Sequence, residues 1–221
     1  MLTLIPKEGD KCNLSNYRPI SVLTVFRKVF EKVAYTQLYD YLENNSILHK
    51  QQYGFRANKY TTQTILHFLL YLYRHIDSGN VVFSLFLDFR KAFDCVNHEI
   101  LLSKLITCGV RGMALDWFRS YLTNREQYIS INNVDSNPRV IQCGVPQGSI
   151  LGPLLFLIFI NAITKCSNQF IYILYADDST FSTCVPGDNV MDSAKLINSE
   201  LKCLDRWLKS NKISINADET K

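Results

Sequence analysis

Three aspartates have the type and placing to do chemistry: Asp88, closing the apolar run Val81–Leu87, and the adjacent pair Asp177-Asp178, set between two further apolar runs. Phosphoryl transfer asks a protein for positioning and charge neutralisation more than for covalent help. Two Mg²⁺ ions roughly 3.5–4 Å apart can activate an attacking hydroxyl and steady a leaving oxygen. Mg²⁺ takes carboxylate oxygens together with water and substrate phosphate, so a few aspartates suffice. Strand ends of one sheet hold such groups closely enough; flexible loops do not. Each piece has a plain alternative. Asp is favoured in turns for its own backbone hydrogen bonds, and a strand-terminal acid can simply be solvated. Both pieces following apolar strands, in this order, favour metal binding.

The elements around them follow from periodicity and punctuation. Val22, Phe26, Val29, Phe30, Val33 and Leu38 recur at helical spacing and predict a helix fading near Asn44-Asn45; Ile65, Leu66, Leu69, Leu70, Tyr73 and Ile76 predict a second, closed by Ser78-Gly79. Residues 81–87 read as a buried strand that delivers Asp88. Asn97 is a good N-cap for a helix stopping at Gly109, and another helix covers 114–122. Residues 127–131 and 139–143 read as two strands around a polar turn, 144–148 as a loop, and the apolar run 150–163 as a buried helix. Strands at 170–175 and 180–184 flank Ala176-Asp177-Asp178-Ser179 as a hairpin; a helix at 190–208 and a last strand at 213–215 follow. Mixed helices and antiparallel strands mean an α+β fold.

Composition sets the bounds. With 47% hydrophobic and 20% charged residues, the chain is neither disordered nor highly charged. The formal charge of +4 resides in residues 1–60, where nine Lys or Arg (among them Lys7, Lys11, Arg18 and Arg56) outnumber five acids, and the remainder balances. Such a basic third suits phosphate contacts, though a solvated basic face fits the charge as well. Seven scattered cysteines, odd in number and never spaced C-x-x-C, predict reduced thiols acting as small core residues in an intracellular compartment. The run 150–163 is short for a bilayer and carries Gly152, Pro153 and Asn161, so no membrane segment is expected.

The motifs as they stand carry a resemblance. Tyr175-Ala176-Asp177-Asp178, Phe86-Leu87-Asp88-Phe89-Arg90-Lys91-Ala92-Phe93-Asp94 and Gly144-Val145-Pro146-Gln147-Gly148-Ser149 occur with Asn16-Tyr17-Arg18-Pro19-Ile20-Ser21, Gln52-Tyr53-Gly54-Phe55-Arg56 and Leu4-Ile5-Pro6-Lys7. In wording and order this resembles the reverse transcriptases of non-LTR (LINE-like) retrotransposons over nearly the whole chain. The resemblance implies polymerase fingers and palm in a right-hand arrangement, with an antiparallel palm sheet packed on helices. Fingers would occupy 1–80 and palm 81–221, with about 97–140 as an insertion. It implies an RNA-directed DNA polymerase joining dNTPs to a DNA primer on an RNA template, with two Mg²⁺ ions for which Mn²⁺ can stand in, in the nucleus or cytoplasm. Asp88, Asp177 and Asp178 would be the metal ligands, with the Phe89 carbonyl. Lys91 and Ala92 would offer backbone N–H groups to the triphosphate, and Arg56 and Arg18 their guanidinium forks. Phe93, five residues after Asp88, would lie beneath the incoming sugar and collide with a 2′-hydroxyl. Gln147 and Gly148 would meet the nucleotide or template. Asp94 reads as a residue that orients its turn, and Tyr53, Phe55, Phe68, Tyr71 and Tyr73 mostly as core, with base stacking as their functional alternative.

The chain departs from the family where Glu219, in Asn216-Ala217-Asp218-Glu219-Thr220, takes the place of an expected lysine. A lysine there suits proton donation to pyrophosphate; glutamate repels it. The expected thumb, a preceding endonuclease and a following Cys/His knuckle are not in the sequence. Three further readings therefore stay open: a catalytically silent remnant that binds nucleic acid or merely folds, a group II intron maturase, and an RNA-dependent RNA polymerase, which Phe93 disfavours.

Overall fold

A computed structural model describes residues 2–6, 10, 16–131, 134–187 and 190–221; Lys7, Lys11 and Cys12 lie outside the described residues. In chain order the elements are β1 (Leu2–Pro6), β2 (Tyr17–Ser21), α1 (Val25–Asn44), α2 (Thr61–Asp77), β3 (Asn80–Leu87), α3 (His98–Thr107) and α4 (Gly112–Leu122). There follow four two-residue strands, β4 (Glu126–Gln127), β5 (Ser130–Ile131), β6 (Val134–Asp135) and β7 (Arg139–Val140), then α5 (Leu151–Ile160). A 3₁₀ turn at Asn161–Lys165, β8 (Ile171–Tyr175), β9 (Asp178–Pro186) and α6 (Val190–Ser210) complete the chain. They form two compact units, one of residues up to Asn45 with Phe93–Phe159, the other of Ser46–Ala92 with Ile160–Lys221.

The first unit is built round α5. Its residues are apolar on every face, and Leu151, Leu154, Leu155, Leu157 and Phe159 have no solvent exposure, as expected of a helix enclosed by protein. Pro153 stands in its first turn, where a missing N–H costs nothing. Ser149 Oγ accepts from the Gly152 N–H at 2.9 Å, and the Ile150 N–H donates to Glu31 Oε2 at 2.8 Å. Glu31 is only 1% exposed. Its other oxygen accepts from the Tyr121 hydroxyl at 2.9 Å and faces Arg27 Nε at 3.5 Å. A carboxylate at a helix N-terminus is stabilised by unpaired N–H groups and the helix dipole, and here it also ties α1 and α4 to α5. Burial first, and then the Glu31 charge, push the Tyr121 hydroxyl up to about 12. Among the described residues no helix is long and apolar enough to cross a membrane.

The second unit is a three-stranded antiparallel sheet in the order β3-β9-β8, with α2 against β3 and β8 and α6 against β9. Central β9 is largely buried. Outer β3 is not: Leu87 is buried, whereas Val81 and Phe86 are 38% and 44% exposed. The expectation of a buried strand fails because a short apolar run does not distinguish an outer strand from an inner one. The apolar stripe of α2 is likewise exposed from Ile65 to Ile76, and Phe55 and Tyr73 are exposed with it, so the aromatic stripe is core only in part; Tyr53 is buried.

Several elements differ from their sequence reading. Residues 213–215 make a single bridge, Ile215 to Phe89, rather than a strand. The region 126–140 forms two short ladders, β4 with β7 and β5 with β6, in place of one pair of strands. The described cysteines are half-buried or, at Cys143, exposed, so they are not core residues; no disulfide joins them. Asn97 caps α3 as expected, its side chain accepting from the Ile100 N–H.

Glu31→Ala leaves the Tyr121 hydroxyl and the Ile150 N–H without their charged acceptor. The expected cost is about 3 kcal/mol, read as a lower denaturant midpoint at unchanged slope.

Candidate active site

The sheet register brings two carboxylates together. In β3 and β9, Leu87 stands opposite Ser179. One further step in that register sets Asp88 opposite Asp178, on one face of neighbouring strands, where paired Cβ atoms lie roughly 5 Å apart. Tyr175 pairs with Asp178, so Asp178 is the first residue of β9 and the turn is the two residues Ala176-Asp177. This sharpens the hairpin read from the sequence, which placed Asp178 in the turn.

Ala176 has φ +58°, which costs a non-glycine residue roughly 1–2 kcal/mol. Gln52 offsets it. This residue is 2% exposed, and its Oε1 accepts from the Ala176 N–H at 3.2 Å and the Gly54 N–H at 3.0 Å. The chain beside it pairs with β8: the Tyr53 N–H donates to Leu174 O and the Leu174 N–H to Gln51 O. Gly54 passes so close to the turn that a Cβ there would lie 2.2 Å from Ala176 N. A glycine is required for that approach. The Gln52-Tyr53-Gly54 motif therefore clamps the aspartate turn, a role its sequence did not reveal.

Asp88 is held from the other side. Its carboxylate Oδ2 accepts from Asn216 Nδ2 at 2.8 Å, its carbonyl from the Asn216 N–H at 2.9 Å, and its N–H donates to Thr220 Oγ1 at 3.3 Å. Phe86 exchanges backbone bonds with Lys221, and the Arg90 N–H donates to Ser214 O. Backbone groups alternate sides along an extended chain. With those of Phe86, Asp88 and Arg90 facing residues 214–221, the Phe89 carbonyl faces the edge that carries Asp178 and Ser179.

Asp88, Asp178, Ser179, Thr180 and Glu219 line a cavity of about 220 Å³. Asp178 is exposed as a residue, yet its carboxyl is partly withdrawn from water. Desolvation first, then the like charges of Asp177 and Asp88, raise its pKa above the usual carboxylate range. Ser179 is 2% exposed, and its hydroxyl has no hydrogen-bond partner among the described residues. Carboxylates repelling one another beside a carbonyl turned to the same edge form an oxygen donor set that fits a hard divalent cation. Among the described residues no three His, Cys, Asp or Glu side chains enclose a metal site by themselves; Mg²⁺ draws the rest of its shell from water and phosphate.

The other expected nucleotide contacts divide between the units. In the second, Lys91 has φ +51° and is exposed, and Ala92 is buried. Arg56 Nη1 donates to the His49 and Gln52 carbonyls, so this guanidinium braces its loop. In the first, the Phe93 ring packs on Phe156 with centroids 4.6 Å apart. The Phe93 carbonyl accepts from the Val145 N–H, and Gln147 Nε2 donates to Asp94 Oδ1 at 3.2 Å, consistent with an orienting role for Asp94. Gly144, at φ +92°, leaves no room for a Cβ, which would lie 2.8 Å from Asp94 O. The Gln147 carbonyl accepts from the Ser21 N–H, and Gly148, at φ +92°, passes against Ile20. Arg18 is exposed on β2.

Comparison with known proteins gives one consistent result. The family model described as Reverse transcriptase (RNA-dependent DNA polymerase) matches residues 5–221. The chain is 30% identical over 216 residues to the probable RNA-directed DNA polymerase from transposon BS of Drosophila melanogaster, covering 93% of this chain and 23% of that protein. It is 26% identical to the RNA-directed DNA polymerase from mobile element jockey of the same species, over 99% of this chain and 24% of the relative. The chain thus spans about a quarter of the length of these relatives. Among solved structures, apo telomerase from Candida tropicalis superposes with a TM-score of 0.68 at 12% identity, covering all of this chain and 43% of that one. Telomerase from Candida albicans with a fragment of telomeric RNA gives 0.67 at 15%, over 40% of its chain. These two establish the α+β fold of polymerase fingers and palm.

Asp178→Asn removes one of the mutually repelling carboxylates. A carboxyl whose folded pKa is raised contributes stability while protonated and loses it as pH rises through the folded value. Without divalent cations, the variant is therefore expected to gain stability over wild type between mildly acidic and neutral pH. Thermal unfolding of both across that range checks this, and parallel curves would contradict it.

Proposed function

The chain belongs to the reverse transcriptase (RNA-dependent DNA polymerase) family, and from that premise we propose that it carries the core of an RNA-directed DNA polymerase of a non-LTR retrotransposon. The reaction is transfer of a deoxynucleotide from a dNTP to the 3′ end of a DNA primer on an RNA template, inside the cell, in nucleus or cytoplasm. The observation that carries this reading is the register that brings the end of β3 to the start of β9, so that Asp88 and Asp178 line one cavity beside the Asp177 turn. On this reading fingers lie within 1–80 and palm within 81–221, with about 97–140 inserted.

Two Mg²⁺ ions, or Mn²⁺, when bound ease formation of the attacking alkoxide and neutralise charge on the leaving pyrophosphate. Asp88, Asp177, Asp178 and the Phe89 carbonyl hold them. Lys91, at φ +51° in a turn, and Ala92 offer their backbone N–H groups to triphosphate oxygens. Arg56 and Arg18 keep their places beside the triphosphate on motif alone, as do Gln147 and Gly148 beside the nucleotide or template. Phe93, its ring seated on Phe156, excludes a 2′-hydroxyl.

A second reading, a folded but silent remnant, is favoured by Glu219, which adds an acid to the cavity of Asp88 and Asp178 where an anionic triphosphate would have to approach. Mg²⁺-dependent extension of oligo(dT) on poly(rA) separates the two. Extension by wild type, reduced to background in Asp177→Ala, is the expected result; no extension by wild type favours the remnant. In the same assay Phe93→Ala or Phe93→Val is expected to incorporate ribonucleotides, and unchanged discrimination removes Phe93 from its role.

A further inference from the structure

Asp88 is tied more heavily than a solvated carboxylate needs. The turn after α6 returns to it with a side-chain amide, a backbone N–H and a hydroxyl: Asn216 Nδ2 on Oδ2 at 2.8 Å, Asn216 N–H on the carbonyl, and Thr220 Oγ1 receiving the N–H. The turn is itself closed by the Thr220 and Glu219 N–H groups on the Asn216 carbonyl, so the amide comes from a fixed backbone. Beyond it, the paired bonds between Lys221 and Phe86 anchor the segment along the free edge of β3.

We propose that Asn216 is a positioning residue for metal binding. Its amide fixes the rotation of the Asp88 carboxylate, engaging Oδ2 and leaving Oδ1 to the cation cavity. The inference rests on the reading of Asp88 as a metal ligand. The physical reason lies in the charges around the cavity. Asp178 and Glu219 line that cavity with Asp88, and repulsion among them turns an unrestrained carboxylate outward. A neutral N–H donor counters that rotation and adds no cation to compete with the metal. The carboxyl group of an Asp turns about two bonds, so a single hydrogen bond at fixed distance decides which oxygen faces the metal. Groups that orient metal ligands through hydrogen bonds raise metal affinity by about 10–100-fold. Thr220 holds only the backbone of Asp88 and has a smaller part.

The test is Mn²⁺ titration of the 221-residue chain, following the electron paramagnetic resonance of free Mn²⁺, on wild type, Asp88→Asn, Asn216→Leu, Asn216→Ala and Thr220→Val. Thermal unfolding of each variant without metal runs alongside. Expected are a dissociation constant about tenfold weaker in both Asn216 variants, a smaller change in Thr220→Val, and metal-free stability close to wild type in Asn216→Leu, whose side chain keeps the volume. Weaker binding that tracks lost metal-free stability across the Asn216 and Thr220 variants overturns the proposal in favour of a structural brace. Mn²⁺ affinity equal to wild type in a folded Asn216 variant overturns it as well. Should Asp88→Asn bind Mn²⁺ as wild type does, the assignment of Asp88 as a ligand fails first. Asn216 variants that do not fold show that the amide serves the fold, and they too overturn the proposal.

Discussion

Negative charges repel, and this molecule gathers several of them at one sheet edge. Asp88, just past β3, and Asp178, at the start of β9, line one cavity with Glu219, and Asp177 sits in the adjoining turn. The consequence is visible in Asp178, whose proton is held more tightly than in an ordinary carboxylate. An arrangement that works against folding at neutral pH survives when the surrounding structure imposes it. Stability given up at a cation or phosphate site is regained when the ion binds.

The imposition comes from both sides of the sheet edge. Gln52 and Gly54 press on the β8–β9 turn and hold Ala176 at positive φ, while the 216–221 segment grips Asp88 and Phe86. The side chains through which the clamps act on Ala176 and the Asp88 carboxylate, Gln52 and Asn216, are neutral amides. Amides and backbone bonds resist the repulsion without neutralising it, so the carboxylates stay available to a cation. A lysine or arginine in place of Gln52 or Asn216 would form an ion pair with the aspartates and weaken their hold on a metal.

The first unit solves a related problem with the opposite device. Its core helix α5 is wholly apolar and would bury unsatisfied N–H groups at its start. Glu31 supplies the acceptor from α1, with Tyr121 and Arg27 completing the shell of its carboxylate. Here a charge is buried because every one of its oxygens has a donor. In the active-site unit the Asp178 carboxyl is instead set among like charges, and the difference separates an oxygen committed to the fold from one available to a ligand.

Sequence alone determined the α+β class, the apolar identity of α5, the cap at Asn97, the aspartates as a set and, through motif order, the family. These are local matters: periodicity, turn chemistry and residue type are written within a few positions of one another. Tertiary structure alone decided the rest. Nothing in the run 81–87 tells an outer strand from an inner one, because exposure depends on what lies across the sheet. Asn216, 128 residues after Asp88, and Gln52, 124 before Ala176, become partners of the active site only through strand pairing. Residues 213–215 had the composition of a strand but found a single pairing position. Arg56 Nη1 meets the His49 and Gln52 carbonyls, contacts that its motif does not state. A residue's type states what it can bind; the register of the sheet states what it meets.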